Sequence, residues 1–131
     1  MIAKPMHKIF KDDRGYLFPV EMDSIPFDVK RIFTVYGVPV GTERGGHAHF
    51  KTKQYLFCAR GKIEVYLDNG NGGESTVLSE GESVFIDSLV WDSQRFLTEN
   101  DIMIVFSNTH YDSNDYITNK EQFYSIVRSS I

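Results

Sequence analysis

The chain has 131 residues, a formal net charge of -4 and 14% aromatic residues. That length suits one domain, and so many aromatics exclude a disordered chain. With no basic surplus the composition gives no reason to bind nucleic acid, and no apolar run nears the ~20 residues of a membrane-spanning helix.

In chain order, Met1 to Ile9 is interrupted by Pro5 and His7 and does not read as a signal peptide. Val29 to Val40 is rich in β-branched and aromatic residues and predicts a buried strand. Lys53 to Ala59 predicts another, ended by Arg60-Gly61. Ile63, Val65 and Leu67 then alternate with Glu64, Tyr66 and Asp68, the pattern of a strand with one buried face. Arg60-Gly61 makes these two strands the arms of an expected hairpin. Asn69 to Gly73 predicts a turn, and Ser75–Leu78, Ser83–Ile86 and Ile102–Ser107 predict three more strands. Short strands separated by Gly-rich turns point to an all-β sandwich or barrel. Near the end the period changes. Thr118-Asn119-Lys120-Glu121 fits a capping box with Thr118 as the cap, and Phe123, Ile126 and Val127 form a helical apolar stripe. No repeat or linker divides the chain, so residues 1–131 are expected to form a single domain with a short C-terminal helix. The lone cysteine, Cys58, cannot form an internal disulfide; it reads as an inert buried thiol in a reducing, cytoplasmic setting.

Chemistry concentrates at Glu43-Arg44-Gly45-Gly46-His47-Ala48-His49. Residues two apart on a strand share a face, so His47 and His49 project together, and the two glycines permit a bulge that aims them. A histidine pair of ordinary pKa near ~6.5 suits proton transfer at neutral pH. His7 and His110 have no neighbours in sequence that argue for catalysis.

Gly41, His47, His49, Gln54 and Gly61 resemble the first motif of the cupin superfamily, with Gln54 in the place of its usual Glu. Gly81, Asp87, Leu89 and Asp92 keep the spacing of the second motif, with its Pro, Gly and His all replaced. The resemblance implies a jelly-roll β-barrel with the histidine strand facing inward. Metal-binding cupins use two His, one Glu and a third His. Two histidines and Asp92 can still form a facial triad if Asp92 points inward, but the loss of Glu and His makes a site without metal the expectation.

A closer resemblance runs through Asp13-Arg14-Gly15-Tyr16-Leu17, Ile25 to Arg31, Arg44 to His49, Gly61, Leu67 to Gly70, Val90-Trp91 and His110 to Ile117. In that order and spacing the segments resemble the dTDP-4-keto-6-deoxyglucose 3,4-ketoisomerases, the WxcM-like sugar cupins. The resemblance implies a homodimer with exchanged N-terminal strands, a dTDP-sugar substrate, no cofactor, and a role in deoxysugar synthesis for a bacterial glycan. On this reading His47 is the base that takes the C3 proton and His49 the assisting acid–base group. Arg14 and Arg44 bind the diphosphate or polarise the enediolate, since guanidinium forks match either anion. Tyr16, Trp91 and Asp92 complete the expected substrate contacts. Each has a plainer alternative: a turn for Arg14, a surface ion pair for Arg44, core packing for Tyr16 and Trp91. Two other functions stay open, a 3,5-epimerase-like enzyme acting on a 4-keto sugar and a sugar-binding cupin without activity.

Overall fold

The computed structural model describes residues 1–129. Eleven strands and one α-helix follow in order: β1 (Phe10–Asp12), β2 (Gly15–Leu17), β3 (Arg31–Val35), β4 (Glu43–His49), β5 (Gln54–Arg60), β6 (Lys62–Asp68), β7 (Gly73–Ser79), β8 (Ser83–Ile86), β9 (Trp91–Phe96), β10 (Ile102–Ser107), β11 (Tyr116–Ile117) and α1 (Lys120–Ser129). β1 and β2 form a hairpin of their own. The rest make two antiparallel sheets, ordered β3-β10-β5-β8 and β11-β4-β9-β6-β7.

Alternation along the strands sorts the side chains into layers. Leu56 and Cys58 of β5, Ile63 and Val65 of β6, Phe96 of β9 and Val105 of β10 point between the sheets and form the main core. Tyr55 and Phe57, the intervening β5 residues, face the other way and pack with Ile25 and Phe106 beneath the 18–29 segment. On the outer face of the five-stranded sheet, Ala48, Trp91 and Ile117 are covered by Phe123 of α1. Burying Phe123 completely is worth roughly 2–3 kcal/mol, which is what holds a ten-residue helix that would be marginal alone. This is the expected all-β jelly roll with a C-terminal helix.

Four local expectations are corrected. The strand expected from Val29 to Val40 is confined to Arg31–Val35 and is half-buried: it is a sheet edge, and its outward Ile32 is 54% exposed. β5 and β6 are not arms of a hairpin but belong to different sheets. The chain turns the corner between them at Gly61, whose φ of +85° and closeness to Asp101 admit no side chain. The helix is capped by Asn119, not Thr118: Asn119 Oδ1 accepts from Gln122 N at 2.8 Å. β9 escaped the sequence reading altogether, because Asp92 and Gln94 are polar where a core strand would be apolar.

Candidate active site

β4 and β9 build the site together. Gly45 and Gly46 both take positive φ, and the β4–β9 register shifts between Gly45 and His47. A Cβ on Gly45 would lie 3.0 Å from Gln94 Oε1 and 3.1 Å from the Asp92 carbonyl, so the two strands approach as only glycine allows. Beyond this bulge His47 pairs with Asp92. The His47 and His49 rings lie 5.0 Å apart on one face, as their spacing predicts.

His47 stands on one wall of a cavity of about 340 Å³ between the two sheets, and His49, on the same strand face, is buried beside it. Arg44, His47, Asp92 and Gln94 line it from the five-stranded sheet; Arg31, Phe33 and Gln54 line it from the other. Asp92 points inward and is 1% exposed. Gln94 Nε2 donates to its Oδ1 at 2.5 Å, and its Oδ2 has no partner among the described residues. Burial pushes the Asp92 carboxyl up to about 7, against the Gln94 hydrogen bond that lowers it. Burial also holds His47 below its ordinary range, and burial followed by repulsion from His47 brings His49 down to about 4. At neutral pH the site therefore presents two uncharged imidazoles, each with a lone pair free to take a proton.

The donor atoms of His47, His49 and Asp92 fall within 4.8 Å of one another. A divalent cation would be held by those three residues, in a two-histidine, one-carboxylate arrangement that the unpartnered Asp92 Oδ2 fits. The cavity's amides, Gln54 and Gln94, add no further charge.

Three expected substrate contacts lie elsewhere in this chain. Trp91 is on the opposite face of β9 from Asp92 and packs 5.8 Å from Phe123, because neighbouring strand residues alternate faces. Arg14 is on the β1–β2 hairpin, 86% exposed and paired with Asp12 at 2.7 Å; Tyr16 is exposed beside it. The hairpin carries them away from this chain's own histidines.

Two cavity residues were not singled out as site residues. Tyr116 of β11 is paired with His49, its ring 4.5 Å from that of His49 and 5.0 Å from that of His47. Asp115 fixes it there by accepting from Lys51 N and Thr52 N, each at 3.0 Å. Arg31 reaches the cavity from β3. Both lie in segments that carry the family resemblance, but nothing local marks them as site residues, since Tyr116 reaches the histidines only through the β4–β11 pairing and Arg31 lines the cavity from the edge of the facing sheet.

Comparison with known families decides the lineage: the family model described as WxcM-like, C-terminal (FdtA) matches residues 3–128. The chain belongs to the FdtA family. A relative, the TDP-4-oxo-6-deoxy-alpha-D-glucose-3,4-oxoisomerase of Aneurinibacillus thermoaerophilus, is 33% identical over 114 residues, 86% of this chain and 82% of the relative. Among solved structures, a 3,4-ketoisomerase from Helicobacter canadensis superposes with a TM-score of 0.86 at 28% identity, covering 96% of each chain. A histidine-to-asparagine variant of the 3,4-ketoisomerase QdtA from Thermoanaerobacterium thermosaccharolyticum, in complex with TDP-4-keto-6-deoxyglucose, gives a TM-score of 0.86 at 29% identity. That match covers 98% of this chain and 94% of the other. The resemblance read from the FdtA-type motifs and the fold agree.

Proposed function

We propose that this chain is a 3,4-ketoisomerase that converts dTDP-4-keto-6-deoxyglucose to a dTDP-3-keto-6-deoxyhexose. The observation that carries the proposal is the pair of adjacent, uncharged imidazoles, with His47 lining the cavity and His49 beside it, in an FdtA-family barrel.

The chemistry needs only protons to move. The C4 ketone acidifies the C3 hydrogen. His47 takes that proton as the C3–H electron pair forms a C3–C4 double bond and the C4 carbonyl oxygen becomes an enediolate oxygen. Return of a proton to C4, with loss of the O3 proton, leaves a C3 ketone and a C4 hydroxyl. His49 shuttles the proton between O3 and O4. Hydrogen passes from C3 to C4 and from O3 to O4, so the step balances with no oxidant or reductant. A cation on His47, His49 and Asp92 would supply Lewis acidity toward the ketone, but the imidazoles account for the proton movements without it. Arg44 lies on the cavity to meet the substrate's negative charge, and Asp92 contacts the sugar from the same wall.

The working unit is a homodimer that exchanges its N-terminal strands. Every residue of β1 and β2 is exposed, and the hairpin pairs with no other strand among the described residues. Phe10, Leu17, Ile32 and Tyr36 expose apolar surface that a second copy would cover, and exchange would deliver Arg14 and Tyr16 to the partner's cavity. No helix among the described residues is long and apolar enough to cross a membrane; a cytoplasmic enzyme of surface-glycan synthesis is the setting we propose.

The test is incubation with dTDP-4-keto-6-deoxyglucose in deuterated water, followed by NMR. Deuterium at C4 of a 3-keto product is expected. Deuterium at C3 and C5 of a retained 4-ketone would make the enzyme an epimerase, and nucleotide binding without exchange at any carbon would make it a binding protein.

A further inference from the structure

The two histidines are placed without a hydrogen bond to either ring. Neither the His47 nor the His49 imidazole has a hydrogen-bond partner among the described residues, and no carboxylate forms an ion pair with either. The ring contacts that each makes are with the other and with Tyr116. His47 and His49 lie 5.0 Å apart at 78°, His47 and Tyr116 5.0 Å apart at 74°, and His49 and Tyr116 4.5 Å apart at 58°. Three rings thus close a triangle of edge-on and tilted contacts, at separations where aromatic pairs attract. Tyr116 is itself held from both sides along the chain. Its backbone pairs with His49, and Ile117 next to it is 1% exposed beneath α1. On the other side the Asp115 carbonyl accepts from Phe50 N at 3.0 Å, and its carboxylate accepts from the Thr52 hydroxyl at 2.5 Å besides the Lys51 and Thr52 amides. Tyr111 backs the ring at 6.0 Å. The Tyr116 hydroxyl, by contrast, has no hydrogen bond among the described residues.

Catalytic imidazoles are commonly aimed by a carboxylate or carbonyl on one ring nitrogen, which fixes the tautomer and occupies that nitrogen. A ring packed against the imidazole fixes its orientation and leaves both nitrogens open, one to accept and one to donate. A pair that takes a proton from carbon and passes another between two oxygens needs that freedom. Resting on the ketoisomerase reading, we propose that Tyr116 is the positioning residue of the histidine pair: its ring sets the orientation of both imidazoles, and its hydroxyl takes no part in the proton transfers. The β4–β11 pairing and the Asp115 clasp then belong to the machinery that aims the histidines. They also explain why a strand of two residues is tied so firmly to the segment that follows His49.

The experiment compares the full-length protein with Tyr116→Phe, Tyr116→Leu and Asp115→Asn at one pH. It measures kcat and KM on dTDP-4-keto-6-deoxyglucose, TDP affinity by calorimetry, and the NMR shifts of the His47 and His49 ring protons. Tyr116→Phe keeps the ring and should keep kcat within about threefold of the wild type. Tyr116→Leu should lower kcat about a hundredfold, the cost of a small misplacement of reacting groups, with TDP affinity held within about threefold. The ring-proton signals of both histidines should move in Tyr116→Leu and stay in Tyr116→Phe, because the neighbouring aromatic ring displaces them. Asp115→Asn, which loosens the clasp, should lower kcat about tenfold without weakening TDP. Tyr116→Phe as impaired as Tyr116→Leu overturns the proposal, since the hydroxyl would then do chemistry. So does Tyr116→Leu with wild-type kcat, with unmoved histidine signals, or with TDP affinity lost in step with kcat. Should Tyr116→Leu fail to fold, as thermal melting will show, Asp115→Asn decides, and unchanged kcat there overturns the proposal. Wild-type protein that isomerises nothing, while its histidine signals still move in Tyr116→Leu, would remove the ketoisomerase reading and leave Tyr116 as the residue that sets the two rings.

Discussion

His47 faces Asp92 across the β4–β9 ladder, one residue past a glycine bulge. The pairing sets an uncharged imidazole beside a buried carboxyl whose Oδ2 has no partner. Bases and acids with displaced pKa values in one cavity are the usual mark of a site that moves protons.

Replacing His47 by Asn removes the proposed base while keeping an amide of similar reach. Turnover should fall by at least a thousandfold, in line with loss of general-base catalysis plus the misplaced shuttle, while TDP affinity shifts by less than about threefold. Wild-type turnover in this variant would take His47 out of the mechanism.

The pH profile follows from the displaced histidines. His49 is brought down to about 4 and His47 is lowered too, so both stay uncharged below the usual 6.5. The acid limb of kcat/KM should therefore lie below pH 6.5, with a plateau through neutrality. A limb at 6.5 or above would show the imidazoles to be solvated and ordinary.

Asp92 links pH to stability with the opposite sign from a salt-bridged carboxylate. Its folded pKa of about 7 exceeds the ordinary 3.8, so the folded state binds the proton more tightly. Stability should fall as pH rises from about 4 to 7 and level off above that, by at most about 4 kcal/mol from this group. Asp92→Asn removes the titration, so its melting temperature should exceed that of the wild type at pH 8 and the difference should shrink toward pH 5. Parallel curves for the two proteins would mean that Asp92 is not buried as an acid.

Gly61→Ala tests the corner between the sheets. A Cβ there meets the Asp101 carboxylate, which takes hydrogen bonds from Lys62 N at 3.2 Å, from Thr98 N at 2.9 Å and from the Thr98 hydroxyl. Strain at positive φ and disruption of that buried acid should together cost about 2–4 kcal/mol in chemical denaturation. A loss below 0.5 kcal/mol would show that the corner yields easily.

Chelation addresses the triad of donors. EDTA treatment followed by gel filtration should leave turnover unchanged, with metal analysis confirming the depletion. Loss of activity restored by one particular divalent ion would place that ion on His47, His49 and Asp92.

Much of this protein was legible from neighbours in sequence. The alternation Ile63, Val65, Leu67 and the strand Ser83–Ile86 follow from a period of two, which any half-buried strand must obey. The shared face of His47 and His49 follows from the same period, and the glycines before them foretold the bulge. The capping residue was missed by one position because Thr118 and Asn119 are both competent caps, and only the backbone's entry into the helix chooses between them.

Sequence by itself determined the local periods, the histidine pair and the lineage, since each is written in residues close together along the chain. Tertiary structure decided which sheet each strand joins and therefore what faces the histidines. Trp91 and Asp92 are adjacent in sequence, yet one packs under α1 and the other enters the cavity. Arg31 and Arg44 are thirteen residues apart and on different sheets, yet they meet the same space. Their convergence depends on how two sheets close over a common core, and that is a sum of long-range contacts that no local pattern encodes.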